Sequence, residues 1–130
     1  MIVRCPEAVI ADMVAHAVEE SPNECCGLLV GRRRSVERSV RARNLEAGPT
    51  RYLIDPADHL AAMKAARAEG LDVIGAYHSH PSSAPVPSAS DIAEASGGVD
   101  FLYVIVAPAS AAVAGYFIKN GEVIVAELAG

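Results

Sequence analysis

The stretch Tyr77-His78-Ser79-His80-Pro81, continuing through Pro85 and Pro87 to Ser88 and Asp91, restricts the fold more than any other part of the chain. Two histidines stand two residues apart. At the end of a strand, period-2 alternation puts both rings on one face, with Cα atoms roughly 7 Å apart. Ser79 then points the other way. A loop holding Pro81, Pro85 and Pro87 is too stiff for a helix and has limited freedom. It can return the chain so that Asp91 supplies a third ligand. Two His, one carboxylate and an open fourth position make the ligand set of a catalytic zinc, not of a closed structural one.

The chain has 130 residues. That is enough for a single domain, 1–130, burying roughly two-thirds of its unfolded surface. Apolar residues make up 52% of it, which allows a sizeable core. The first residues lead straight into Cys5-Pro6-Glu7 with no apolar signal region, and no apolar run approaches the ~18 residues of a membrane span. The expectation is a soluble protein with no membrane partner.

Cys5, Cys25 and Cys26 are too few and too oddly placed for a disulfide framework. They indicate a reducing cytoplasm. Cys25 and Cys26 read as small core hydrophobes, though Cys26 shares the strand face of Glu24. Net charge is −5, yet Arg32 to Arg51 carries seven arginines against Glu37 and Glu46, a local +5. The acidic balance elsewhere argues against nucleic acid as a partner. The basic segment reads as a solvated edge hairpin, or as a surface for an acidic protein partner.

Pro6 suits a first helical position, and Ile10, Met13, Val14, Ala17 and Val18 recur at helical spacing. This predicts a helix over Pro6 to Glu20, with Glu7, Asp12, His16 and Glu19 facing outward. Cys25 to Val30 reads as a buried strand, Ser35 to Asn44 as a half-exposed one, and Tyr52-Leu53-Ile54 as a short one. Asp55 caps a second helix that presents Leu60, Met63, Lys64 and Arg67 and ends near Gly70. Asp72 to His78 is strand-like. A short helix starts at Ser88. Strands over 101–107, 112–119 and 122–127 follow, the last two joined by the hairpin turn Asn120-Gly121. The fold class is α/β (α+β): a mostly antiparallel mixed sheet, two longer flanking helices and a short helix at the site.

Amide hydrolysis also needs a proton shuttle, which a ligated histidine cannot be. Glu24 stands just before the buried strand, but spacing alone does not select it from sixteen acidic residues. With Glu24 included, the His78-Ser79-His80, Ser88 and Asp91 pattern resembles the JAMM (MPN+, Mov34/PAD-1) zinc metallopeptidase family. The segment around Glu24-Cys25-Cys26-Gly27-Leu28-Leu29 and the Gly75-Ala76-Tyr77 approach agree. The order of elements agrees along nearly the whole chain.

The resemblance implies a cytidine-deaminase-like fold and one Zn²⁺ per chain on His78, His80 and Asp91. It implies Glu24 as general acid/base and Ser88 as hydrogen-bond donor to the water or oxyanion. It implies hydrolysis, by a zinc-activated water, of the amide bond after the C-terminal Gly-Gly of a ubiquitin-like or sulfur-carrier β-grasp protein. No covalent enzyme intermediate is expected. The short chain resembles small stand-alone prokaryotic members rather than linkage-specific deubiquitinases. The alternative is a non-catalytic MPN-type scaffold, but such members commonly lack intact ligands. A zinc deaminase would need H-x-E and P-C-x-x-C, and neither occurs. His16 and His59 fall outside the pattern, as surface or satisfied histidines. The sequence leaves the oligomeric state open, a homodimer among the options.

Overall fold

A computed structural model describes residues 1–130. Its elements in chain order are β1 (Ile2–Arg4), α1 (Glu7–Glu20), β2 (Cys26–Arg32), β3 (Ser35–Ala42), α2 (Pro56–Ala68), β4 (Asp72–Ser79), α3 (Ala89–Glu94), β5 (Leu102–Ala107), β6 (Ala112–Lys119) and β7 (Glu122–Ala129). The strands form one closed sheet in the order β1-β3-β2-β4-β5-β6-β7, with β7 returning to β1. Four neighbouring pairs are antiparallel, and β1 with β3, β1 with β7 and β4 with β5 are parallel.

Alternation on the strands divides the core in two. Leu29, Tyr77, Val104 and Phe117 point inward and pack on Val9, Met13 and Ala17 of α1. Leu28 and Ala76 point outward, under Ala62 of α2. Gly27 is required where Tyr77 crosses it, because a Cβ there would lie 2.2 Å from the tyrosine ring. The β6–β7 turn places Asn120 at φ 50° and Gly121 at φ 80°, as a two-residue hairpin demands.

Three local expectations are corrected. His16 is 4% exposed rather than outward, and its Nδ1 lies 2.7 Å from the Tyr77 hydroxyl. The seam of α1 runs through Val9, Met13, His16 and Ala17, which leaves Val18 in solvent. On α2 the buried residues are Ala62 and Ala66, and Leu60 is exposed. A close helix–sheet approach favours small side chains over large ones there. Tyr52-Leu53-Ile54 makes no strand; it pairs only through an isolated bridge between Ile54 and Asn44. The Asp55 cap and the Pro56 start of α2 are as expected, with Asp55 accepting from the Ala57 N–H.

The basic segment is partly paired. Arg38 meets Glu69, Arg41 meets Glu19, and Arg51 meets Glu46 at 3.0 Å. Three of its seven arginines are thus neutralised, which shrinks the surface offered to an acidic partner.

Candidate metal centre

The α2 face of β4 runs outward through Ala76 to the strand's C-terminal end, where the two histidines emerge. His78 is in register with Cys26 of β2 and Ile105 of β5. The His80 N–H donates to the Val106 carbonyl at 2.8 Å, so the backbone stays extended for one more pleat. Ser79 points to the opposite side, where its Oγ accepts the Cys25 N–H at 2.8 Å. Both rings are buried, at 2% and 7% exposure.

The proline loop then folds back. Ser88 caps α3: its Oγ accepts the Asp91 N–H at 3.0 Å, while Asp91 Oδ2 accepts the Ser88 N–H at 2.9 Å. This reciprocal cap aims the Asp91 carboxylate at the histidines. Its Oδ2 lies 3.1 Å from His78 Nε2 and 3.0 Å from His80 Nε2, and the two Nε2 atoms are 3.2 Å apart. The structure therefore brings His78, His80 and Asp91 together in the grouping the spacing suggested. Ser88 stands at the helix start, exposed, and Glu24 lies near enough to feel the charges of His80 and Asp91.

This donor set fits a metal ion. His80 Nδ1 lies 2.9 Å from the Ala84 carbonyl, which can only accept. In a neutral His80 that bond holds the proton on Nδ1 and leaves a lone pair on Nε2. Three ligand atoms then face one another, within 4.8 Å, with too few protons between them. A cation, or a proton taken up in its place, resolves the repulsion. The titration directions agree. Burial works against charging His80, but its bonds to Asp91 and Ala84 outweigh it and hold its pKa above the ordinary value. Burial pushes His78 down. Asp91 is held well below the usual carboxylate range; burial alone would raise it, and the bonds from His78 and His80 prevail.

Glu24 is 6% exposed and its Oε1 has no hydrogen-bond partner. Burial, with the charge of Asp91 adding and that of His80 opposing, raises its pKa to about 7. A carboxyl at that value can both take and give a proton near neutral pH.

Sequence reasoning missed Tyr52. Its ring stacks on His78, centroids 4.3 Å apart and planes 16° from parallel. No periodicity marks it, because it sits in an irregular segment. It also lines a cleft of about 560 Å³ with Ile54, Met63, Val73, Phe101 and Tyr103. His59 lies half-buried at the same cleft. Cys26 borders His78 with its thiol turned to the Arg43 carbonyl at 3.5 Å.

A closed mixed sheet with flanking helices and a His-His-Asp cluster at the end of a central strand defines a protein of the JAB class. The chain belongs to the family described as prokaryotic homologs of the JAB domain, whose profile matches residues 6–118. It is 39% identical over 103 residues to a probable TtuB-protein conjugate cleaving protease of Thermus thermophilus, covering 78% of this chain and 69% of that one. It is 34% identical to a desampylase of Haloferax volcanii, over 78% of this chain and 75% of the relative. A CysO-cysteine peptidase of Mycobacterium tuberculosis is 35% identical over 62% of this chain and 56% of its own. A protein of Desulfitobacterium hafniense solved in solution superposes with a TM-score of 0.88 at 35% identity, over 98% of this chain and 91% of that one.

No helix is long and apolar enough to cross a membrane.

Proposed function

We propose that residues 1–130 act as one zinc metallopeptidase domain. It hydrolyses the amide or isopeptide bond after the C-terminal Gly-Gly of a ubiquitin-like or sulfur-carrier β-grasp protein. The observation that carries this reading is the convergence of His78 Nε2, His80 Nε2 and Asp91 Oδ2 beside a buried glutamate with an unpaired oxygen. The relatives named as conjugate-cleaving protease, desampylase and CysO-cysteine peptidase support the substrate class. Three free, buried cysteines accord with work in the cytoplasm.

His78, His80 and Asp91 would hold the ion, and a zinc ion there would supply Lewis acidity and lower the pKa of a water toward ~7. Glu24 takes the proton from the attacking water at its unpaired Oε1 and gives it to the leaving amine. Burial, which raises its pKa in the metal-free site, eases the uptake of that proton. The Ser88 Oγ accepts from the Asp91 N–H, so its own hydroxyl proton is free to donate to the carbonyl oxygen as charge grows there. Tyr52 forms one wall shared by the metal centre and the apolar cleft, which offers room for the carrier next to the cut.

The test incubates zinc-loaded protein with small β-grasp proteins carrying C-terminal extensions and weighs the products. Release of a carrier ending in Gly-Gly supports the reading. One zinc per chain with every extension left intact would instead favour a non-catalytic scaffold.

A further inference from the structure

Asn44, between β3 and α2, spends its whole side chain on two stretches that carry the site. Its Nδ2 donates to the carbonyl oxygens of Glu24 and Arg51, each at 3.1 Å. Its Oδ1 accepts from the N–H groups of Glu46 at 3.0 Å and Leu53 at 2.9 Å. A primary amide has two N–H groups and two acceptor lone pairs, so its capacity is filled. Arg51 and Leu53 flank Tyr52, the residue stacked on His78. The Glu24 N–H in turn donates to the Gly48 carbonyl at 2.8 Å, inside the same loop.

Glu24 stands ahead of β2, outside the sheet ladder. Its Oε1 has no partner of its own, so its aim depends on where the backbone is held. Tyr52 also lies in a segment with one isolated bridge and no strand. Both residues therefore take their positions from the loop, and Asn44 is the side chain that joins them.

We propose that Asn44 is a positioning residue, fixing Glu24 and Tyr52 relative to the metal ligands. Its catalytic consequence rests on Glu24 being the acid/base of a zinc peptidase. Asn44 touches neither ion nor substrate. It acts through the Glu24 carbonyl on one side and the backbone on either side of Tyr52 on the other.

Two variants separate its bonds. Asn44→Asp keeps both acceptor bonds and loses the donors to Glu24 and Arg51. Asn44→Ala loses all four. Amide hydrogen exchange, zinc affinity, kcat and KM are measured on each, at a temperature where both are folded. In Asn44→Asp the Glu24 amide should exchange about tenfold faster or more, with the Leu53 amide still protected and Leu28 unchanged. In Asn44→Ala, Leu53 should lose protection as well. In both, kcat should fall roughly 10- to 100-fold, with KM and zinc affinity within about threefold of wild type. A purely structural role would lower the melting temperature and leave kcat of the folded protein unmoved. Unchanged exchange at Glu24 in both variants, or faster exchange with undiminished kcat, overturns the proposal. A wild-type protein that cleaves no extended carrier sinks the peptidase reading and the catalytic consequence with it. The exchange rates would still decide whether Asn44 holds Glu24.

Discussion

His80 Nδ1 lies 2.9 Å from the carbonyl oxygen of Ala84, four residues further on. That bond turns the lone pair on Nε2 toward His78 and Asp91, and it is made by the loop that begins at Pro81. The stiffness of the loop and the identity of the donor atom are therefore one property. A ligand presented this way loses little freedom when it binds.

Metal binding should stabilise the fold through those three donors. At a free zinc concentration of about 100 times Kd, a single site contributes roughly 2.7 kcal/mol. Thermal melts with zinc and with chelator should differ by several degrees for the wild type. For His80→Ala the two curves should coincide. A zinc-dependent rise of equal size in the variant would place the ion elsewhere.

Glu24 should shape the pH dependence twice. Cleavage should rise with pH as Glu24 ionises, and Glu24→Gln should abolish it while retaining zinc. Stability of the metal-free protein should run the other way. The folded pKa of Glu24, about 7, lies above its ordinary 4.5, so the folded state binds the extra proton between those values. Its contribution is fully present below pH 4.5 and is lost as pH rises through 7. Urea unfolding at pH 5 and pH 8 should show Glu24→Gln gaining on the wild type at the higher pH. A constant difference between the two proteins would mean that Glu24 is not desolvated.

Tyr52 should matter through its ring rather than its hydroxyl. An aromatic stack contributes about 0.5–1.5 kcal/mol beyond buried area. Tyr52→Ala should weaken zinc binding roughly 2- to 10-fold by titration calorimetry, and Tyr52→Phe should leave it near wild type.

Ser88 carries two roles that can be separated. Removing the cap in Ser88→Ala should cost about 1 kcal/mol at α3. Losing an oxyanion donor should lower kcat about 10²- to 10³-fold. Ser88→Asn keeps a cap without the hydroxyl. If kcat of Ser88→Asn matches wild type, Ser88 serves the helix alone.

Most of the strands and the grouping of His78, His80 and Asp91 were legible in the sequence because both follow from local spacing. Alternation puts His78 and His80 on one face, and the serine–aspartate cap pattern orders Asp91. On α1 the spacing holds for Ile10, Met13, Val14 and Ala17, which face the core, but not for Val18, which is exposed. His16 turns inward to the Tyr77 hydroxyl, a partner on a strand some sixty residues away that the helix's own residues do not show. Tyr52 and Asn44 escaped for a related reason. They lie in a segment without period, and their meaning comes from partners such as His78 and the Glu24 carbonyl. Closure of the sheet was equally hidden: a short first strand over Met1 to Arg4 is legible, but its parallel pairing with both β3 and β7 joins residues far apart in the chain.

Those three residues have an outsized effect. Ile2 to Arg4 lies between β7 and β3, parallel to both. Trimming the chain to begin at Cys5 would open the closed sheet, taking from β3 its pairing at Ser35 and from β7 its pairing over Glu127 to Ala129. The end of β7 would then offer unpaired peptide groups to any other molecule in the same condition. Material shortened at the amino end should cling to itself in solution even with its metal site chemically intact.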